Sequence, residues 1–162
     1  MIMNVNLLEE VMRYTFFRSG KLYVDKSSEA YKFYIEISYF KDGMSNLHIE
    51  RIVYLPDSPH LSVDSEWDNF PQNIKNRSIE WIAPSFYDSV VEAFLPKITN
   101  EFVKAKLESV PKFSDEFKRL FDIYVEDDYE YGEGEKFYEF KNEYWHETAC
   151  RFCDEHSIKY EE

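Results

Sequence analysis

The apolar positions of the chain fall into blocks whose spacing switches between helical and strand-like. Leu7, Leu8, Val11, Met12 and Thr15 share one helical face. Asn6 with Glu9 three residues on reads as a capping pair, and Ser19-Gly20 as the stop, so a helix is expected over about 6–17. From Ala30 to Phe40 the period drops to two. Tyr31, Phe33, Ile35, Ile37 and Tyr39 alternate with Lys32, Tyr34, Glu36, Ser38 and Phe40. Asp42-Gly43 suits a hairpin turn that demands positive φ. The return strand, about 46–55, has Leu47, Ile49, Val53 and Leu55 on one face, interrupted by Arg51. Its other face, with His48, Glu50, Ile52 and Tyr54, is mixed, as where a sheet meets solvent or a helix.

Residues 56–77 hold three prolines and many Asp, Asn and Ser, which reads as a long loop or a loosely formed edge. Residues 78–82, SIEWI, fit a short strand. After Pro84, Ser85 can cap a long amphipathic helix over about 86–109, marked by Phe86, Val90, Val91, Phe94, Ile98 and Phe102. Pro96 lies inside it and requires either a kink or two helices. Ser114-Asp115-Glu116 reads as a helix start. The alternation of Phe121, Ile123 and Val125 with Asp122, Tyr124 and Glu126 then predicts a strand at about 119–126. A last helix is expected over about 135–157, with Tyr138, Trp145, Ala149, Phe152 and His156 as its stripe and Phe137, Phe140 and Tyr144 beside it. The sum is a single α+β domain over residues 1–162. A small antiparallel sheet, built on the hairpin at about 30–55 plus short strands, is covered by amphipathic helices.

Charge changes this picture near the end of the chain. Residues 122–162 contain 14 acids and 4 bases, against 18 acids and 15 bases in residues 1–121, so most of the −13 total lies in the last quarter. There the acids alternate with rings in DIYVEDDYEYGEGEKFYEF. Thirteen Tyr and 14 Phe exceed what a small core readily absorbs, which leaves rings for a surface. So negative a balance argues against direct binding to nucleic acid, which needs cationic groups to displace counterions, and against anionic lipid surfaces. It suits fast association with a cationic protein. The expected contacts are Glu126, Asp127, Asp128, Tyr129, Glu130, Tyr131, Glu133 and Glu135. A second candidate surface is Asp64, Glu66, Trp67 and Asp68.

Chemistry of other kinds has little to stand on. With four glycines and no G-x-S-x-G, H-E-x-x-H or phosphate-loop pattern, no catalytic set converges. No cofactor is expected. Carboxylates packed as densely as in 126–139 suit a solvated face better than a tuned active site. His146, Cys150, Cys153 and His156 are all good zinc ligands, but four residues of one straight helix cannot surround a tetrahedral ion. A site there needs the helix to break, or ligands from elsewhere such as His48 or His60. Asp64-x-Glu66-x-Asp68 opens like a calcium loop, yet Asn69 and Lys75 stand where Gly and Glu are required. Two cysteines three apart form no disulfide framework. The opening MIMNVNLLEEVMRYTFF has neither a basic start nor a long apolar run, so a reduced, cytoplasmic setting is expected.

A small acidic chain with an opening amphipathic helix, a DG hairpin and a late acidic-aromatic segment resembles bacterial immunity proteins of polymorphic and contact-dependent toxin systems. The stretch FDIYVEDDYEYGEGEKFYEFKNEYW is similar in composition to the C-terminal part of some such families and covers about a quarter of the chain. The resemblance implies tight binding to a cognate toxin, a nuclease for instance, and no enzymatic activity. It carries no residue assignments, because no motif fixes an alignment. Two alternatives remain open. One is a phage or mobile-element mimic of DNA that blocks restriction or CRISPR enzymes, which would need acids in two rows at phosphate-like spacing. The other is a zinc module or enzyme built on the cluster at 146–156.

Overall fold

The computed structural model describes residues 1–26, 31–40, 47–55, 58–61 and 76–162. The Asp42-Gly43 turn and the Asp64, Glu66, Trp67 and Asp68 surface lie outside the described residues, as do the side chains of His48 and His60. The fold is α+β, as the pattern predicts. The chain divides into two compact units, Met1–Pro84 with Trp145–Glu162, and Ser85–Tyr144.

The first unit begins with β1 (Met3–Asn4) and α1 (Val5–Phe17). The helix starts earlier than Asn6 suggests, because Asn4 is the cap and its side chain accepts from the Leu7 N–H at 2.9 Å. It ends as expected: Ser19 takes a left-handed φ of 49° and the Gly20 N–H returns to the Thr15 carbonyl. β2 (Lys21–Asp25), β3 (Lys32–Phe40), β4 (Leu47–Leu55), β5 (Ser58–Leu61) and β6 (Ser78–Ile82) follow. They make an antiparallel sheet in the order β5-β4-β3-β2-β6. The hairpin and SIEWI strands are therefore present, but KLYVD between them and α1 is a sheet strand that the pattern reading did not assign. Its buried run of Leu22, Tyr23, Val24 and Asp25 has no alternation, because both of its faces are covered. The proline-rich segment contributes β5 to an edge, where a register shift between Val53 and Leu55 accommodates it.

Register decides which face meets the helices. Leu22 lies opposite Ile35, and Ile35 opposite Ile52; Val24 lies opposite Phe33, and Phe33 opposite Tyr54. This row packs with Val5, Leu8, Val11 and Met12 of α1 and with Ala149, Phe152, Cys153 and Ile158 into one core. The mixed face of β4, not its more apolar one, is thus the helix side. Tyr54 is kept there by its phenol, which donates to Glu10 at 2.6 Å while the ring stays buried. Deleting a fully buried ring such as Phe33 from this core costs about 3–5 kcal/mol.

The second unit is helical. The expected helix at 86–109 is broken. Tyr87–Val91 is a π-helical turn, closed by a five-residue bond from the Val91 N–H to the Phe86 carbonyl. It continues through α2 (Glu92–Phe94) and a 3-10 turn at Leu95–Lys97 that contains Pro96. After the break, Asn100 caps α3 (Glu101–Glu108) by accepting from the Val103 N–H. The strand predicted at 119–126 is not there. Ser114 caps α4 (Asp115–Phe121), which runs into a second π-helical turn at Asp122–Glu126. Phe117, Leu120, Phe121 and Val125 are buried, at spacings of three and four, and Ile123 is exposed. The alternation misled because every second residue from Phe121 to Val125 is apolar, although the inward positions follow the helical period.

The last helix, α5 (Glu133–Glu155), starts in the second unit and ends in the first. Its buried stripe runs through Phe137, Trp145, Thr148, Ala149, Phe152 and Cys153; Tyr138 and His156, expected on it, are exposed. Much of the aromatic surplus is core. Phe137 sits 4.8 Å from Phe94 and 5.1 Å from Phe121 between ring centroids, and in the first unit Trp145 packs 4.6 Å from Phe16. Tilted and edge-on pairs of this kind add about 0.5–1.5 kcal/mol each beyond area burial.

Candidate functional site

The acidic-aromatic segment forms the π-helical end at Asp122–Glu126, a tight turn, and the start of α5, all within the second unit. Seven of its eight expected contact residues divide into two groups, and Tyr131 stands apart from both. Asp128 and Glu133 work within the fold. The Asp128 carboxylate accepts from the N–H groups of Glu130 at 2.7 Å, Tyr131 at 2.9 Å and Glu133 at 3.1 Å. Desolvation opposes its charge, but backbone donors from Tyr131, Glu130, Glu133 and Gly134 outweigh it and hold the carboxyl below the usual range. A carboxylate in this position also caps the first turn of α5.

Glu133 is only 1% exposed, so it leaves the expected binding surface. Its Oε1 accepts from the Asn100 N–H at 2.8 Å and the Thr99 N–H at 3.1 Å, and its Oε2 lies 3.0 Å from Lys136 Nζ. Lys136 in turn donates to the Lys97 carbonyl and Thr99 Oγ1, both at 3.0 Å. Together they satisfy the backbone groups freed where Pro96 breaks the helix. Burial pushes the Glu133 carboxyl up, and the donors of Asn100, Lys136 and Thr99 bring it below its ordinary value.

The outward group is Glu126, Asp127, Tyr129, Glu130 and Glu135. Tyr129 is 101% exposed, and Tyr138, one turn into α5, is 64% exposed. Glu126, Asp128, Tyr129, Glu135 and Tyr138 line one shallow depression of about 370 Å³ around Gly132 and Gly134. Among the described residues, Asp127, Glu130 and Glu135 make no ion pair, and Glu126 has only Lys141, at 3.8 Å. Desolvation raises the Glu126 carboxyl; Lys141 opposes this, and Asp122 and Asp127 add to it. Tyr131 turns away from that depression. It stacks on the exposed Phe102 at 5.3 Å and meets Tyr124 at 6.0 Å, forming a ring cluster beside the acids. Tyr138 and Phe102 were missed as surface rings because both sit in amphipathic stripes. Only their angular offset from the stripe centre, read against the buried Phe137 and Val103, separates them.

The His/Cys tetrad does not assemble. Cys153 is fully buried in the core, where burial first, then Cys150 and Asp154, pushes its thiol up to about 11. His156 is exposed, with its ring against Phe152 at 4.7 Å. His146 and Cys150 do meet, with Nε2 and Sγ 3.7 Å apart. A second depression, of about 280 Å³, is lined by Leu95, Ile98, Leu107, Val110 and Phe117, with Lys104 and Lys112 beside them. No helix among the described residues is long and apolar enough to cross a membrane. Comparison with known proteins returns no match, whether to a protein-family model, a curated protein or a solved structure.

Proposed function

We propose that this chain is a non-enzymatic, cytoplasmic binding protein that engages a cationic protein through the surface between Glu126 and Tyr138. As the more specific reading, it is an immunity protein that neutralises a cognate bacterial toxin. The observation that carries the proposal is a fully exposed tyrosine, Tyr129, at the lip of one depression and near Asp127, Glu130 and Glu135, which make no ion pair among the described residues. An exposed ring beside a second ring supplies the desolvated centre of a hot spot. The ring of acids steers an Arg- or Lys-rich partner and fixes its register. Asp127, Glu130 and Glu135 are the steering charges, Tyr129 and Tyr138 the anchors, and Glu126 an acid in the lining of the depression. Asp128 and Glu133 support this surface from within.

The test is co-precipitation from the native host, with a salt titration, followed by affinity measurement on the captured cationic protein. Asp127→Lys with Glu130→Lys and Glu135→Lys should weaken binding at least ~100-fold, mostly through the on-rate, while leaving the fold intact. Tyr129→Ala should cost about 2 kcal/mol or more through the off-rate. Unchanged affinity in both folded variants would place the binding site elsewhere. Capture of a restriction or CRISPR complex in place of a toxin would favour DNA mimicry.

A further inference from the structure

The geometry points to a second site in the first unit: His146, Cys150 and Glu162 bind one zinc-class divalent cation, with Glu9 orienting the imidazole. This stands apart from the acidic surface and needs none of its residues.

Spacing supplies the first pair. Residues four apart on α5 lie one above the other, and His146 Nε2 stands 3.7 Å from Cys150 Sγ. Zinc bonds of about 2.0–2.1 Å to nitrogen and 2.3 Å to sulfur, held at a tetrahedral angle, separate those atoms by about 3.6 Å. The two side chains are thus already spaced as neighbours on one ion. A single helix cannot provide the remaining ligands, and the fold brings the next from elsewhere. α5 stops at Ser157, which takes a left-handed φ of 54° while the Ile158 N–H returns to the Cys153 carbonyl at 2.8 Å. Ile158 is buried and anchors the reversal. β7 (Tyr160–Glu161) then runs back and pairs in parallel with β1. This return carries Glu162 to Cys150. One ligand atom from each of His146, Cys150 and Glu162 lies within 4.8 Å of the others.

The surroundings of the histidine supply an independent indication. Its Nδ1 lies 3.4 Å from Glu9 Oε2, on α1. With the Nδ1–H donating to that carboxylate, the Nε2 lone pair points at the thiol. A carboxylate behind the imidazole is the usual support of a metal-bound histidine, fixing its tautomer and raising its basicity. Glu9 itself is held by Arg13 at 2.6 Å. The donor set is one imidazole, one thiolate and one carboxylate, which suits zinc and its neighbours better than calcium or magnesium. On binding, the Sγ–H bond breaks, the sulfur–metal bond forms and the proton leaves to solvent. Three protein ligands and a partly exposed imidazole leave the fourth position to water.

The test uses the whole purified chain. Titration with cobalt(II) should give the thiolate-to-metal charge-transfer band and tetrahedral ligand-field bands, saturating at one equivalent. Zinc should displace the cobalt. Cys150→Ser should abolish the charge-transfer band, and His146→Ala should weaken binding ~100-fold or more. Glu162→Gln and Glu9→Gln should each weaken it ~10–100-fold. Glu162 is exposed, so its variant keeps the fold and guards against misreading an unfolded protein. His156→Ala should bind as the parent does. The inference is overturned if no thiolate–cobalt band forms, if the band survives in Cys150→Ser, or if His146→Ala and Glu162→Gln retain parent affinity.

Discussion

Removing the Glu133 side chain should destabilise the second unit by about 3 kcal/mol, although the residue looks like one more surface acid in an acidic run. Its Oε1 accepts two backbone N–H groups, from Asn100 and Thr99, and hydrogen bonds to a charged acceptor contribute about 1.5–3 kcal/mol each. Thr99 is exposed and Asn100 half-buried, so water replaces part of the loss, and the lower end of that range applies to each. The Lys136 pair adds no more than about 0.5 kcal/mol, because the lysine side chain is 40% exposed. Glu133→Gln keeps one acceptor oxygen and should cost about 1 kcal/mol. Urea unfolding followed by far-UV circular dichroism reads the midpoint shift at constant m. Tryptophan fluorescence would not serve, since Trp67, Trp81 and Trp145 all lie outside Ser85–Tyr144. A pH series adds a second arm. Because the folded carboxyl titrates below its ordinary value of 4.5, its stabilisation is present above that value and is lost as pH falls towards the folded pKa. The parent should therefore lose stability faster than Glu133→Gln as pH drops below about 4.5. A cost under about 1 kcal/mol for Glu133→Ala, or equal costs for Ala and Gln, would refute the role given to this carboxylate.

Three further outcomes are expected. Gly134→Ala should lower the melting temperature by several degrees, equivalent to about 2 kcal/mol, although alanine is favoured inside helices by about 1 kcal/mol. The added Cβ would stand 2.5 Å from the Asp128 carbonyl oxygen and 2.8 Å from that of Val125, both of them backbone. Ser157→Gly should stabilise the first unit by about 1 kcal/mol, since the left-handed φ of 54° costs serine about 1–2 kcal/mol, and calorimetry would show the rise in Tm. Asp128→Ala should destabilise the turn before α5 by about 1–2 kcal/mol in urea melts, with a loss that shrinks in acid. The sign follows from a folded carboxyl held below its ordinary 3.8, whose stabilisation exists above that value and disappears as pH falls through the folded pKa.

Periodicity along the chain was enough for the α+β class, the α1 stripe, the β3 and β4 strands and the interruption at Pro96. Each of these is a local property: side chains two or four residues apart share a face whatever surrounds them. Composition likewise located the acidic-aromatic stretch. What periodicity could not decide was the use to which a given face is put. KLYVD is a central strand because β3 and β6 flank it, and the mixed face of β4 meets α1 because Leu22 and Val24 are its cross-sheet partners. Phe121 to Val125 is helical, with Phe121 packed on Phe137 and Val125 buried four residues further on. The acids show the same division. Asp128 and Glu133 differ from Asp127 and Glu130 only in which backbone N–H groups the fold turns towards them. The His146–Cys150 spacing is written in the helix, whereas Glu9 and Glu162 join it only once α1 and the returning terminal strand have docked on the same core. Local geometry follows from the order of residues. The meeting of distant residues depends on which buried surfaces close together, and that is a property of the whole packed chain.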